Sequence, residues 1–231
     1  MHVSYWIFEF WRLGMNSTDL PMVLRRLRKA AKTWSTPVVA EISHQLDPFK
    51  VLVSCIISLR TRDKNTRAAS ERLFDLADTP QKFLQLDPKK VEKAIYPVAF
   101  FRNKTLSLYD ICRTLINCHE GNVPKTLDKL LKLKGVGRKT ANLTLILGYG
   151  KLGICVDTHV HRISNRWGYL KTKSPDATEL ILRKKLPKRY WMEYNNLLVS
   201  FGQNMCKPIS PHCSQCFIAD YCRQYGVKRH R

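Results

Sequence analysis

Apolar residues recur at three- and four-residue spacing along most of the chain, and no stretch alternates apolar with polar positions as a half-buried strand would. The pattern predicts helices almost throughout. Thr79-Pro80, Asp87-Pro88 and Ser174-Pro175 each place a side-chain oxygen at an N-cap and proline in the first turn, where its missing N–H costs nothing. Residues 48–59, nearly all apolar, should form a buried helix, and 104–118 an amphipathic helix that stops near Gly121. Asp63, in ISLRTRD, reads as a helix cap. Residues 124–132 and 138–148 read as two helices joined by a very short glycine-bearing turn. No repeat, low-complexity tract or long linker interrupts the pattern, so any two domains must lie against each other. The character of the chain changes around 149–153, before further helices and a cysteine cluster.

Charge narrows the partner. Among 231 residues, 40 Lys and Arg face 18 Asp and Glu, a formal charge of +22. Such an excess over the whole length favours a polyanion bound through phosphate contacts, and no basic amphipathic helix or lipidation signal points to a membrane. No apolar run reaches the roughly 18 to 20 residues that span a bilayer. Residues 1–14 are rich in aromatics but carry Glu9 and lack both a basic start and a small-residue cleavage site, so they do not read as a signal peptide. They are an uncertain extension, either an extra helix or a start upstream of Met15. Of eight cysteines, Cys55, Cys112, Cys118 and Cys155 stand singly in apolar stretches, as buried reduced thiols do inside cells.

Chemistry concentrates in three places. The segment LKGVGRKTAN (133–142) sets Gly135 and Gly137 in the turn between two helices, where backbone N–H groups and a helix start can meet a phosphate. Flanking Lys132, Lys134, Arg138 and Lys139 favour that grip over an ordinary turn. Lys139 shares a face with Leu143 and Ile146 on a largely apolar helix, which should put its amine at the mouth of a buried cleft. Desolvation and the helix start would both favour the neutral, nucleophilic amine there; the alternative is one more phosphate-binding lysine. Asp157, in VDTHVHR, reads as an N-cap and, held in that way, as an oriented carboxylate able to stabilise developing positive charge or assist deprotonation. Finally, Cys206, Cys213, Cys216 and Cys222 follow C-x6-C-x2-C-x5-C, a thiolate set suited to a 4Fe-4S cluster or to zinc, with His212 a bystander.

Together LKGVGRKTAN, VDTHVHRISNR and the cysteine spacing resemble endonuclease III, within the helix-hairpin-helix DNA glycosylases, over roughly 47–222. The resemblance implies an all-α fold of two helical domains. One, residues 41–151, would be a six-helix barrel with the helix-hairpin-helix; the other, 15–40 with 152–231, would surround a 4Fe-4S cluster held by the four cysteines. It implies base-excision repair by a bifunctional glycosylase and AP lyase acting on oxidised pyrimidines and abasic sites in double-stranded DNA. Lys139 would attack the sugar of a flipped-out nucleotide and hold a Schiff base through β-elimination, with Asp157 assisting, and the cluster would organise a DNA-contacting loop. Gly135, Val136, Gly137, Arg138, Thr140 and His159 would contact DNA. A monomer inside the cell is expected, cytoplasmic and nucleoid-associated in a prokaryote, without membrane attachment. The rivals are a monofunctional mismatch glycosylase and a non-enzymatic DNA-binding protein with a structural metal.

Three departures bear on specificity. Lys134 stands where the family commonly has proline. Arg60 stands where the family often has a glutamine that fills the gap left by the extruded nucleotide, which leaves lesion and opposite-base preference open. The 206–213 loop carries Lys207 as its one firm cation, fewer than usual. Phe100, in VAFFRNK, aligns with an apolar wedge for the opposite strand; the alternative is core packing.

Overall fold

In this computed structural model residues 14–34 and 47–231 are described, and every regular element among them is helical. The expectations for residues 1–13 and for the junction near residue 40 lie outside the described residues.

Local chemistry accounts for the helix starts. Asp47 accepts the N–H groups of Phe49 and Lys50 at 2.9 and 3.2 Å, ahead of Pro48 at the start of the Pro48–Ser58 helix. Thr79, Asp87 and Ser174 cap the helices that begin at Pro80, Pro88 and Pro175 in the same manner. Boundaries shift where tertiary contacts intervene. The Asp63–Leu76 helix takes Arg62, one residue before the expected Asp63, at its N-cap position. Phe101–His119 begins earlier than the amphipathic pattern suggested, because Phe100 turns the chain through a left-handed conformation. The Leu127–Leu131 helix begins later than expected, since Val123 is held in the core with its carbonyl accepting the Tyr149 hydroxyl.

Buried apolar side chains fall into two clusters. The first centres on Pro48–Ser58, buried on nearly all sides through Val51, Leu52, Val53, Ile56 and Ile57. Around it pack Asp63–Leu76, Phe101–His119 and the Arg138–Leu143 helix, which continues as a π-helical turn over Thr144–Gly148. A helix that is apolar all round needs such a jacket, and each fully buried Leu or Ile contributes about 1.5 to 3 kcal/mol. The second cluster draws on both ends of the chain. Leu20, Val23, Leu24 and Leu27 form one stripe of Leu20–Ala31 that packs on Trp191–Asn204, and Thr158–Arg166 packs on the same helix. Trp34, Trp167, Phe201 and Phe217 meet edge-on or tilted at its centre, with centroids 5.8 to 6.4 Å apart.

An ionic network joins the clusters. Glu179, on Pro175–Lys185, is 2% exposed and accepts two hydrogen bonds from Arg138, at 2.8 and 2.9 Å, and one from Arg183 at 2.8 Å. Arg183 also donates to the Asn142 side chain at 2.9 Å. The hairpin helix is thereby fixed to an element of the other cluster.

Candidate active site

The turn between Leu127–Leu131 and Arg138–Leu143 depends on its glycines for two different reasons. Gly135 has φ +77°, the left-handed region that side chains resist. Gly137 has ordinary φ of −89°, and a Cβ there would meet nothing within 4 Å. Neither backbone strain nor internal crowding requires glycine at 137, so what it leaves room for is an external group approaching the backbone. No side chain caps this helix, and its first intrahelical bond runs from the Ala141 N–H to the Gly137 carbonyl. The N–H groups of the first turn are therefore available to an anion.

The hairpin cations do not all face outward. Arg138, expected to bind DNA, spends its guanidinium on buried Glu179, whose charge outcompetes solvent for it. Lys134 pairs with Asp110 at 2.5 Å. Val136 is buried at 6% exposure and gives its N–H to the Leu133 carbonyl at 3.1 Å, so it plugs the turn instead of presenting a side chain to a ligand. Thr140 is likewise buried. Lys139 is exposed, and it lines a small cleft with Cys55, Ser58, Leu59, Thr140 and Leu143.

Asp157 approaches from the other cluster. Its carboxylate accepts the Val160 N–H at 2.9 Å and caps Thr158–Arg166, which fixes its orientation. Both charges act on one buried thiol. Cys155 Sγ lies 3.8 Å from the Lys139 carbonyl, and burial pushes its thiol above the ordinary range while the Lys139 charge opposes and the Asp157 charge adds to that shift. The Cys55 thiol is pushed up to about 12 by burial, again against Lys139. These are protonated, inert thiols, and Cys55 is the one that lines the cleft beside Lys139. Cys112 is buried as expected, but Cys118 is exposed, because it sits on the outer face of Phe101–His119.

Arg60 and Phe100 come together although 40 positions separate their numbers. Both adopt left-handed backbone, φ 56° and 58°, and the guanidinium lies 5.1 Å from the ring centre. Phe100 is 57% exposed, which rules out core packing as its role. Beneath them lies a residue that the sequence pattern did not reveal. Lys104 is 7% exposed and its Nζ donates to the carbonyls of Ile57 and Leu59 at 2.7 and 2.6 Å and to Thr61 Oγ1 at 3.2 Å. Thr61 Oγ1 in turn accepts the Ala99 N–H at 3.3 Å. One buried lysine thus ties both turns together.

The four cluster cysteines line a single cavity with Arg166, Trp167 and Phe201. Four thiols around one shared cavity are a complete cysteine set of the kind that holds an iron-sulfur cluster. The cysteine loop is braced by the helix that Asp157 caps. Arg162 donates to the Cys206 carbonyl at 2.8 Å, and Arg166 to the carbonyls of Lys207 and Pro208 at 2.7 Å and to Cys206 Sγ at 3.4 Å. His159 lies on this helix with Nδ1 3.1 Å from Arg162 Nη2.

Comparison with known proteins agrees with this arrangement. Residues 53–188 match the HhH-GPD superfamily base excision DNA repair protein, and residues 206–222 match the iron-sulfur binding domain of endonuclease III. The chain is 45% identical over 181 residues to Endonuclease III of Thermotoga maritima, covering 78% of this chain and 85% of that one. It is 34% identical over 208 residues to Endonuclease III of Haemophilus influenzae, covering 90% and 96%. A solved structure of a trapped Endonuclease III-DNA covalent intermediate superposes with TM-score 0.80 at 31% identity, over 90% of this chain and 95% of that chain. Fold and site together define a helix-hairpin-helix protein of base excision DNA repair. The chain belongs to the endonuclease III family, and its cofactor is a 4Fe-4S cluster. No described helix is long and apolar enough to cross a membrane.

Proposed function

We propose that the protein is a bifunctional DNA glycosylase and AP lyase that removes oxidised pyrimidines from double-stranded DNA and cleaves the resulting abasic strand. The observation that carries this reading is the placement of Lys139 in the first turn of the hairpin helix, at a cleft shared with Cys55, Ser58 and Leu59, while Asp157, fixed as the cap of Thr158–Arg166, acts with Lys139 on the same buried Cys155 thiol. The Gly135–Gly137 turn would hold a backbone phosphate while the damaged nucleotide rotates out of the stack. The Lys139 amine would donate its lone pair to C1′ as the C1′–N bond breaks, the base leaving with that bond's electrons and taking up a proton. Asp157 would stabilise the positive charge that develops on the sugar. Loss of a second proton from nitrogen and ring opening give a Schiff base; loss of a C2′ proton then expels the 3′ phosphate, and water releases the lysine.

Cys206, Cys213, Cys216 and Cys222 would hold the 4Fe-4S cluster, which supplies structural organisation of the loop they bound and no redox step. Two domains, 41–151 and 15–40 with 152–231, are supported by the two buried clusters. A monomer working inside the cell, nucleoid-associated in a prokaryote, suits this activity. The test is a screen of duplexes carrying oxidised pyrimidines, uracil, mismatches and an abasic site. Base release together with strand nicking is expected for oxidised pyrimidines; base release without nicking, or binding alone, contradicts it.

A further inference from the structure

The loop between Cys206 and Cys213 is poor in charge where a phosphate-contacting loop needs it. Lys207 is its firm cation, and its tip, Ile209, is apolar and 88% exposed. The structure brings the missing charge from elsewhere. Residues 226–231 fold back beside the loop, the Arg231 N–H donating to the Pro211 carbonyl at 2.8 Å and the Ser214 N–H to the Arg231 carbonyl at 2.9 Å. Pro208, Ile209 and Ser210 face Val227, Lys228 and Arg229 across a shared open groove. Lys228, Arg229 and Arg231 are exposed, and none of them, nor Lys207, forms an ion pair among the described residues. A single acidic residue, Asp220, lies anywhere beyond Glu193.

We infer that Lys228, Arg229 and Arg231, strapped to the cysteine loop, complete with Lys207 a composite contact for DNA backbone phosphates. The inference rests on the DNA-repair function proposed above and extends its binding surface. Position supports it. Arg166, which holds the loop carbonyls, and Asp157 are the two ends of one helix, about 13 Å apart at 1.5 Å per residue. The loop, and the strap bonded to it, therefore sit at the far end of that helix from Asp157, outside the reacting position itself. A strap on backbone hydrogen bonds holds these cations at less entropic cost than a free tail does.

The experiment measures equilibrium binding of the cluster-loaded protein to a duplex with a tetrahydrofuran abasic analogue over a series of salt concentrations. Three phosphate contacts account for about 2.7 in the slope of log K against log salt. Lys228→Ala/Arg229→Ala/Arg231→Ala is expected to reduce the slope by roughly 2 to 3 and to weaken binding at least tenfold at low salt. A wild-type slope in a variant that keeps the cluster absorbance overturns the inference. Should that variant lose its cluster, the single variants Lys228→Ala and Arg229→Ala are read instead. Each is expected to lower the slope by about 1, and two unchanged slopes overturn it. Wild-type protein without lyase activity would contradict the proposed chemistry, not the strap, whose salt slope is measured independently.

Discussion

Arg60 Cζ stands 5.1 Å from the centre of the Phe100 ring, and both residues hold left-handed backbone on turns tied together through Thr61 and Lys104. An exposed cation–π contact contributes about 0.5 to 1 kcal/mol, less than the roughly 1 kcal/mol or more of strain at each left-handed non-glycine residue. Stability therefore does not explain the pair, but insertion into a duplex from which a nucleotide has been extruded would. Arg60→Gly should leave the melting temperature unchanged or slightly raised while lowering kcat/KM on duplex lesions about tenfold. Phe100→Gly should behave alike. Arg60→Gln should alter the ranking of opposite bases. Parallel loss of stability and activity in both glycine variants would assign the pair a structural role.

Lys104 makes the support of these turns titratable. Burial lowers its ammonium from 10.5 to about 8. Below pH 8 folded and unfolded states both carry the proton; between about 8 and 10.5 the folded state sheds it first, so this residue's contribution to stability rises with pH across that window. The difference in urea midpoint between wild type and Lys104→Met should be flat below pH 8 and widen in favour of wild type above it. At neutral pH the variant strands the Ile57 and Leu59 carbonyls and should lose about 2 to 4 kcal/mol. A difference that does not vary with pH would contradict this account of Lys104.

Glu179 shows the opposite sign. Burial raises its carboxyl, but the hydrogen bonds and charges of Arg138 and Arg183 outweigh that and leave it below its ordinary value of 4.5. Its stabilisation is present above that value and lost as pH falls through the lowered one. Glu179→Ala leaves two guanidiniums facing a vacated buried site and should cost about 3 to 5 kcal/mol. Because Arg138 then loses its anchor, DNA affinity should fall although Glu179 itself would touch no DNA. Thermal melts at pH 7 and pH 4 check both statements, since the wild-type advantage over the variant should shrink at the lower pH.

What the sequence disclosed was local. Asp-Pro and Ser-Pro caps, the glycines at 135 and 137 and the cysteine spacing act within a few residues of themselves, so their meaning survives without a fold. The pairing of Arg138 with Glu179 could not be read from the sequence, because Glu179 belongs to a helix far along the chain and only packing brings them together. Lys104 falls in a stretch that the pattern marks only as amphipathic, and the Ile57 and Leu59 carbonyls that receive its amine belong to another helix and the residue that ends it. The strap of 226–231 was hidden for a similar reason, since backbone hydrogen bonds to Pro211 and Ser214 leave no side-chain pattern.

The central claim is that Lys139 becomes covalently attached to DNA during turnover. Incubating the cluster-loaded protein with abasic duplex and borohydride should convert the Schiff base into a stable protein-DNA adduct whose peptide map places the link at Lys139. The adduct should vanish in Lys139→Gln while that variant still binds the duplex. No adduct with wild type, or full adduct yield in Lys139→Gln, would contradict the account.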